Sequence, residues 1–172
     1  MTELPWLETY DGQTTEELLA LEGKYRTDSL VAAFEEALAS MADGSHGFSY
    51  EEVVILAVEA LEYEVNNGGY MQFFVNASEF VPLAIDALES IGRTDALALT
   101  RRAIEVIGIK GEVTAEAVEA AIEEENPERD EKLEELDEKY FEEIGDLSDD
   151  LFAYIKANKD EIVLTESESD AE

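Results

Sequence analysis

The chain has no cysteine, one histidine and three prolines in 172 residues. Without a thiol there is no disulfide, no thiolate nucleophile and no sulfur-ligated zinc. With His46 as the lone imidazole, neither a transition-metal site nor a histidine acid–base pair is expected, and no cofactor is called for. No stretch approaches the roughly 18 uninterrupted apolar residues of a membrane-spanning helix. The opening Met1-Thr2-Glu3-Leu4-Pro5-Trp6 lacks a basic segment followed by an apolar one, so no secretory signal is visible and a soluble cytoplasmic protein is expected.

Positive charge is the other shortage. Eleven Lys plus Arg stand against 44 Asp plus Glu, a formal net charge of −33, where a small soluble domain carries a magnitude of about 2 to 8. Self-repulsion on that scale destabilises a compact chain, so the excess needs a cause beyond solubility. Polyanions repel one another, which argues against direct contact with nucleic acid, and the same field is repelled by an acidic membrane leaflet.

What is present is a core. A hydrophobic content of 45% is that of a globular protein, and the length fits one domain, here expected over residues 1–164. The remainder, 165–172, has four acidic side chains and no apolar residue but Ala171, the composition of a disordered tail.

Apolar residues recur at helical spacing throughout, and no convincing alternating strand occurs. The reading is all-α, a compact bundle of about seven to nine helices. Thr14 or Thr15 caps a first helix carrying Leu18, Leu21 and Tyr25, and a second follows near Asp28 with Leu30, Phe34, Ala37, Leu38 and Met41 inward. Residues 43–47 form a Gly-rich loop. Ser49 and Glu52 have the spacing of a capping box for a long helix striped by Val54, Val58, Leu61 and Val65. Further helices are expected over 80–91, inward through Leu83, Ala84, Ala87 and Leu88, and over 94–107, each closed by a glycine, Gly92 or Gly108. After an extended connector, Thr114 caps a helix over 115–125. Pro127 then opens one that runs to about Ile144, with Leu133, Leu136, Tyr140, Phe141 and Ile144 inward, and a last helix covers 148–161.

The organising stretch is Asn66-Asn67-Gly68-Gly69-Tyr70-Met71-Gln72-Phe73-Phe74-Val75-Asn76. Four residues tolerant of positive φ interrupt the long helix, and a dense aromatic segment follows at once, so the spacing predicts a helix stop, a tight corner and a restart. Tyr63, Tyr70, Phe73 and Phe74 are the candidate core around it, while Gln72 and Asn76 are expected to cap helix ends or satisfy buried backbone groups. This motif, with residues 84–88, the Ile91-Gly92 helix end, residues 98–107 and 133–140, resembles a family of small helical bacterial proteins whose namesake is an acidic DNA mimic. The resemblance covers roughly residues 49–154. It implies an all-helical fold, makes a homodimer plausible, and raises mimicry as a function without specifying the partner.

The acidity is not a single tail. Residues 1–92 carry a net of −16 and residues 111–172 a net of −19, separated by a mildly basic stretch, 93–110, that contains Arg93, Arg101, Arg102 and Lys110. On the helix after Pro127, Glu131, Glu134, Glu135, Glu138 and Glu142 recur at spacings of three and four and so share a face. With a rise of about 1.5 Å per residue their carboxylates recur every ~4.5 to 6 Å, against phosphates that advance ~3.4 Å per nucleotide along a B-form strand. Glu52, Glu59 and Glu62 form a candidate second row on the long helix. A row of Glu is ordinarily a solvated face with good helix propensity. Lys and Arg would solvate it equally well, and their scarcity on both lobes favours a functional surface.

Three functions compete on this sequence. The first is a non-enzymatic decoy that binds a basic DNA-binding protein, such as a transcription factor, nucleoid protein or nuclease, and keeps DNA out. The second is a helical domain of unrelated function whose surface is adapted to a salty cytoplasm. The third is a small-molecule pocket at Tyr63, Tyr70 and Gln72. No Gly-rich phosphate loop or nucleophile elbow supports an enzyme. The best local cation candidate, Asp146-Leu147-Ser148-Asp149-Asp150, lacks the spacing and glycine of an EF-hand and is read more simply as helix capping by Ser148.

Overall fold

The structure, a computed structural model, describes residues 3–42 and 46–164; the expected tail at 165–172 and residues 43–45 of the loop lie outside the described residues. Among the described residues the chain is all-α, with eight α-helices and no strand. They are α1 (Thr15–Leu19), α2 (Thr27–Ser40), α3 (Tyr50–Asn76), α4 (Val81–Ser90), α5 (Thr94–Val106), α6 (Ala115–Ile122), α7 (Pro127–Lys139) and α8 (Ser148–Ala157). Short 3-10 turns occupy Ser78–Phe80 and Lys159–Glu161, and a π-helical turn, Tyr140–Ile144, follows α7. None of the helices is long and apolar enough to cross a membrane, among the residues described.

Side-chain caps set several helix starts. Thr14, not Thr15, caps α1: its hydroxyl oxygen accepts the Glu17 N–H at 3.2 Å. Thr114 does the same for α6 through the Ala117 N–H at 3.1 Å, and Asn126 for α7 through the Arg129 N–H at 3.1 Å, with Pro127 in the first turn where no N–H is needed. The capping box at α3 forms in full. Ser49 Oγ accepts the Glu52 N–H at 3.1 Å, while Glu52 Oε1 accepts the Ser49 N–H at 2.9 Å.

The described residues group by their internal contacts into two compact units, those lying within 1–56 and 148–172, and 57–147. In the first, α2 packs on α8, burying Leu30, Phe34, Ala37 and Leu38 on one helix and Leu151, Phe152 and Ile155 on the other. Each of the Leu, Phe and Ile side chains among these contributes about 1.5 to 3 kcal/mol relative to exposure. The chain after α8 is pinned by hydroxyls: Thr15 Oγ1 donates to the Ile162 carbonyl and Ser49 Oγ to that of Glu161, both at 2.7 Å.

In the second unit, α5 packs against α4, α7 and the π turn. Its centre is the aromatic segment of α3. Tyr70, Phe73 and Phe74 are fully buried, and Tyr70 meets Tyr140 edge to face with ring centroids 5.9 Å apart. The Tyr70 hydroxyl lies 2.9 Å from Thr100 Oγ1. Three expected core residues are not core: Tyr63 is 67% exposed, Phe141 53% and Leu83 40%. Each sits at the flank of its helix's apolar stripe, where helical spacing alone does not separate inward from outward. α6 ends at Ile122 rather than 125, and the last helix ends at Ala157 before its 3-10 turn.

Candidate functional site

α7 divides its side chains sharply. Leu133 and Leu136 are buried, with Tyr140 continuing the stripe into the π turn, while Glu131, Glu134, Glu135 and Glu138 are exposed on the opposite side. Glu142 is also exposed, but it lies in the π turn, whose wider winding carries it out of strict phase with the four on α7. The predicted ridge therefore exists as four carboxylates on one α-helical face with a fifth beyond it. Lys132 and Lys139 stand on its flank, and Lys132 pairs with Glu128 at 3.3 Å. Arg129, on the inward side, does not offset the ridge. It is 7% exposed and donates Nη1 to the carbonyls of Ala121 and Glu124 at 3.2 and 3.1 Å, closing the C-terminal end of α6.

The second row does not form a surface. Glu52 is 2% exposed and is committed to the capping box and to His46, whose Nε2 lies 3.1 Å from Glu52 Oε2. Glu59 is half-buried. Glu62 turns inward, and its Oε1 accepts the Leu147 N–H at 2.7 Å. Burial pushes the Glu62 carboxyl up to about 7, the Leu147 N–H opposes that shift, and the neighbouring Asp146 carboxyl adds to it. The physical reason for the correction is common to Glu52 and Glu62: a carboxylate beside an orphan backbone N–H is drawn in to accept it, whatever its place in a surface pattern.

The corner between the two parts of α3 explains how α7 is held. Only Gly68 and Gly69 leave helical geometry; Asn66 and Asn67 remain helical, so the expected four-residue corner is a two-residue kink. Gly69 has φ +79°, and a Cβ built on it would run into the Asp137 carboxylate. That carboxylate accepts the Tyr70 N–H at 2.7 Å, satisfying the first donor of the restarted helix. Partial burial raises the Asp137 carboxyl, with the Tyr70 N–H working against the shift and the Glu134 charge with it. Gln72 and Asn76 do not cap backbone. Their amide groups donate to the same oxygen of Glu64, at 2.7 and 3.0 Å, bracing the kink from its other side.

Sequence reading did not single out Asp137, although its place one turn after Leu133, on the inward side of α7, was an available signal. It also left Arg93 as part of a basic stretch. Arg93 in fact holds Asp95 through two nitrogens at 3.0 Å and donates to the carbonyls of Ile144 at 2.6 Å and Asp146 at 3.1 Å. Those bonds keep the Asp95 carboxyl below its usual range. Among the described residues, no group of three or more His, Cys, Asp or Glu has the arrangement to hold a metal ion.

The arrangement can present four carboxylates on one helical face, held through Asp137 to the Gly68-Gly69 kink, to a cationic surface. A family model described as "DMP19-like protein" matches residues 46–158, a span that includes the capping box, the kink and all of α7. No curated protein and no solved structure matches the chain.

Proposed function

The chain belongs to the DMP19-like protein family, and from that premise we propose that it is a non-enzymatic acidic DNA mimic. In this reading the α7 ridge occupies the phosphate-contacting surface of a basic DNA-binding protein and excludes DNA. The partner class is a transcription factor, nucleoid protein or nuclease, so that the protein regulates access to DNA in the cytoplasm, alone or as a homodimer.

The observation that carries the reading is the exposure of Glu131, Glu134, Glu135 and Glu138 together on one ordered helix of a chain with net charge −33. The mechanism is phosphate replacement. Lys and Arg that evolved to meet phosphates accept carboxylates through the same charge-assisted hydrogen bonds, and the field of the whole protein steers the encounter. No reacting group is required. Charges held in fixed positions on a helix lose less entropy on binding than charges on long free side chains would, which favours the ridge as the contact.

The test is affinity capture from the source cell over a salt series. A basic DNA-binding protein should be recovered at low salt and released steeply as salt rises. Changing Glu131, Glu134, Glu135 and Glu138 together to Gln keeps the helix and removes four charges; capture should weaken while the far-ultraviolet spectrum is unchanged. Recovery of no basic protein at low salt sinks the reading, and undiminished capture by the quadruple variant removes α7 from it. A second reading, surface adaptation to a salty cytoplasm, draws on exposed acids away from α7, at Glu112, Glu116, Glu123, Glu124 and Glu125.

A further inference from the structure

α4, α5 and the connector after α5 leave a groove of about 300 Å³ in the second unit. Its apolar wall is Val81, Pro82, Ile85, Ile104, Ile109 and Val113; Val81 is fully buried and the other five are half-buried. The connector is shaped by Gly108 and Gly111, at φ +72° and +101°. These left-handed positions turn the backbone on either side of Ile109 and Lys110 so that Ile109 closes one side of the groove.

Two charged side chains share this groove, Arg101 and Glu105, one turn apart on α5. Groups at that spacing are neighbours, with Cβ atoms about 5 to 6 Å apart, yet these two do not close on each other. Among the described residues Arg101 makes no ion pair or hydrogen bond, in a chain where 44 acidic groups compete for 11 basic ones. Arg93 and Arg129 of the same unit are, by contrast, each bound to a carboxylate and to backbone carbonyls. The groove thus offers a free guanidinium, a free carboxylate and an uncovered apolar wall.

A ligand that satisfies all three carries an anion and a cation close together and an apolar group beside them. A simple alkyl carboxylate would pair with Arg101 but bring its charge against Glu105; an alkylammonium ion would meet the reverse difficulty at Arg101. We propose that the groove is a binding site for a free α-amino acid with a branched or aromatic apolar side chain. The α-carboxylate takes the guanidinium fork of Arg101, the α-ammonium takes Glu105, and the side chain lies on Pro82, Ile85 and Ile104. The volume agrees with one such molecule: it stands at the small end of the ~300 to 1,000 Å³ typical of ligand sites.

The test uses the full chain and needs no DNA-binding partner, so its outcome is independent of the mimicry reading. Binding is followed by nuclear magnetic resonance shifts or calorimetry with leucine, phenylalanine, glycine, 4-methylpentanoate and 3-methylbutylamine. Leucine or phenylalanine should bind with a Kd of about 1 mM or tighter, and glycine and both half-ligands should bind about tenfold more weakly or worse. Arg101→Gln should weaken leucine about tenfold or more, comparable to the loss of one charge-assisted pair. Glu105→Gln should weaken leucine but strengthen 4-methylpentanoate, a crossing of preferences that a merely structural change would not produce. Both positions are exposed, so the variants should keep the wild-type fold. The proposal is overturned if neither amino acid shifts the groove resonances, if glycine matches leucine, or if 4-methylpentanoate binds the wild type more tightly than leucine does. Leucine affinity indifferent to both substitutions also overturns it. Groove resonances that respond to protein concentration and not to leucine would assign the face to a contact between copies instead.

Discussion

The Asp137 carboxylate accepts a hydrogen bond from the backbone N–H of Tyr70 at 2.7 Å, across 67 positions of sequence. One side chain therefore does two things at once. It satisfies the first donor of the helix that restarts after the kink, and it fixes α7, the helix whose outer face carries the acidic ridge. Gly69 is the condition for this contact, since it combines a left-handed φ with the absence of a Cβ that the carboxylate would strike.

From that contact, Asp137→Ala is expected to lower stability by about 1 to 2 kcal/mol, because it removes the carboxylate acceptor of the Tyr70 N–H. Asp137→Asn should recover most of the loss, as the amide oxygen still accepts. Gly69→Ala combines strain with a clash and should cost at least as much as Asp137→Ala, of order 1 to 3 kcal/mol. Urea unfolding of the three variants checks the order. If Ala and Asn at 137 were equally stable, the hydrogen bond would not be the reason Asp137 stands there.

Tyr140 supplies a prediction of opposite sign. Its ring is packed against Tyr70, but its hydroxyl is buried without a hydrogen-bond partner among the described residues. Burial and the nearby Glu62 charge raise its pKa, so it stays protonated throughout the accessible range. Removing a desolvated, unpaired hydroxyl gains free energy, and Tyr140→Phe should raise stability by about 1 kcal/mol, or about 2 to 4 °C in Tm for a chain of this size. A lower Tm would mean that the hydroxyl has a partner, such as a bound water.

Glu62 ties stability to pH. Its carboxyl is raised from 4.5 to about 7 in the folded state, so the folded protein holds that proton longer than the unfolded chain does. The sign follows: the contribution is fully present below about 4.5 and is lost as pH rises through about 7, on the order of 3 kcal/mol in total. Glu62→Gln keeps an oxygen for the Leu147 N–H and removes the titration. Relative to wild type, the variant should gain stability from about pH 5 to about pH 7 and level off above that. Thermal melts of both proteins across that range should diverge with rising pH; parallel curves would show that Glu62 ionises freely.

How far the sequence was legible follows from these same residues. Helix starts announced themselves where a side chain caps a neighbour a few positions away, as at Thr14, Ser49 with Glu52, and Thr114, because the relation is local. The ridge on α7 was legible for the same reason, since exposure of residues 131, 134, 135 and 138 follows from the burial of Leu133 and Leu136 at fixed helical phase. What failed was non-local. Tyr63 and Phe141 looked inward by phase but stand exposed, and Glu62 looked outward but met the Leu147 N–H 85 positions away. The π turn left no mark in periodicity at all. The groove beside α5 was invisible because Ile85, Ile104 and Ile109 have the spacing of core residues and are only half covered.

Salt separates the two accounts of the acidity. At a net charge of −33 the folded chain repels itself, and that repulsion is screened over about 10 Å at 0.1 M and about 3 Å at 1 M ionic strength. Adding KCl should therefore raise Tm under either account; what differs is whether the fold exists before the salt is added. The aromatic centre around Tyr70 is fully buried, and the caps and the Asp137 contact satisfy backbone donors without any bound ion. Such a core should hold the fold in dilute buffer, as a protein that meets its partner by charge must be folded where charge is least screened. The expected melt is cooperative at about 20 mM KCl and gains a few degrees by about 0.5 M, beyond which screening of surface pairs is nearly complete. A protein unfolded at low salt, and folding only in multimolar KCl, would assign its carboxylates to a salty environment and remove the case for mimicry.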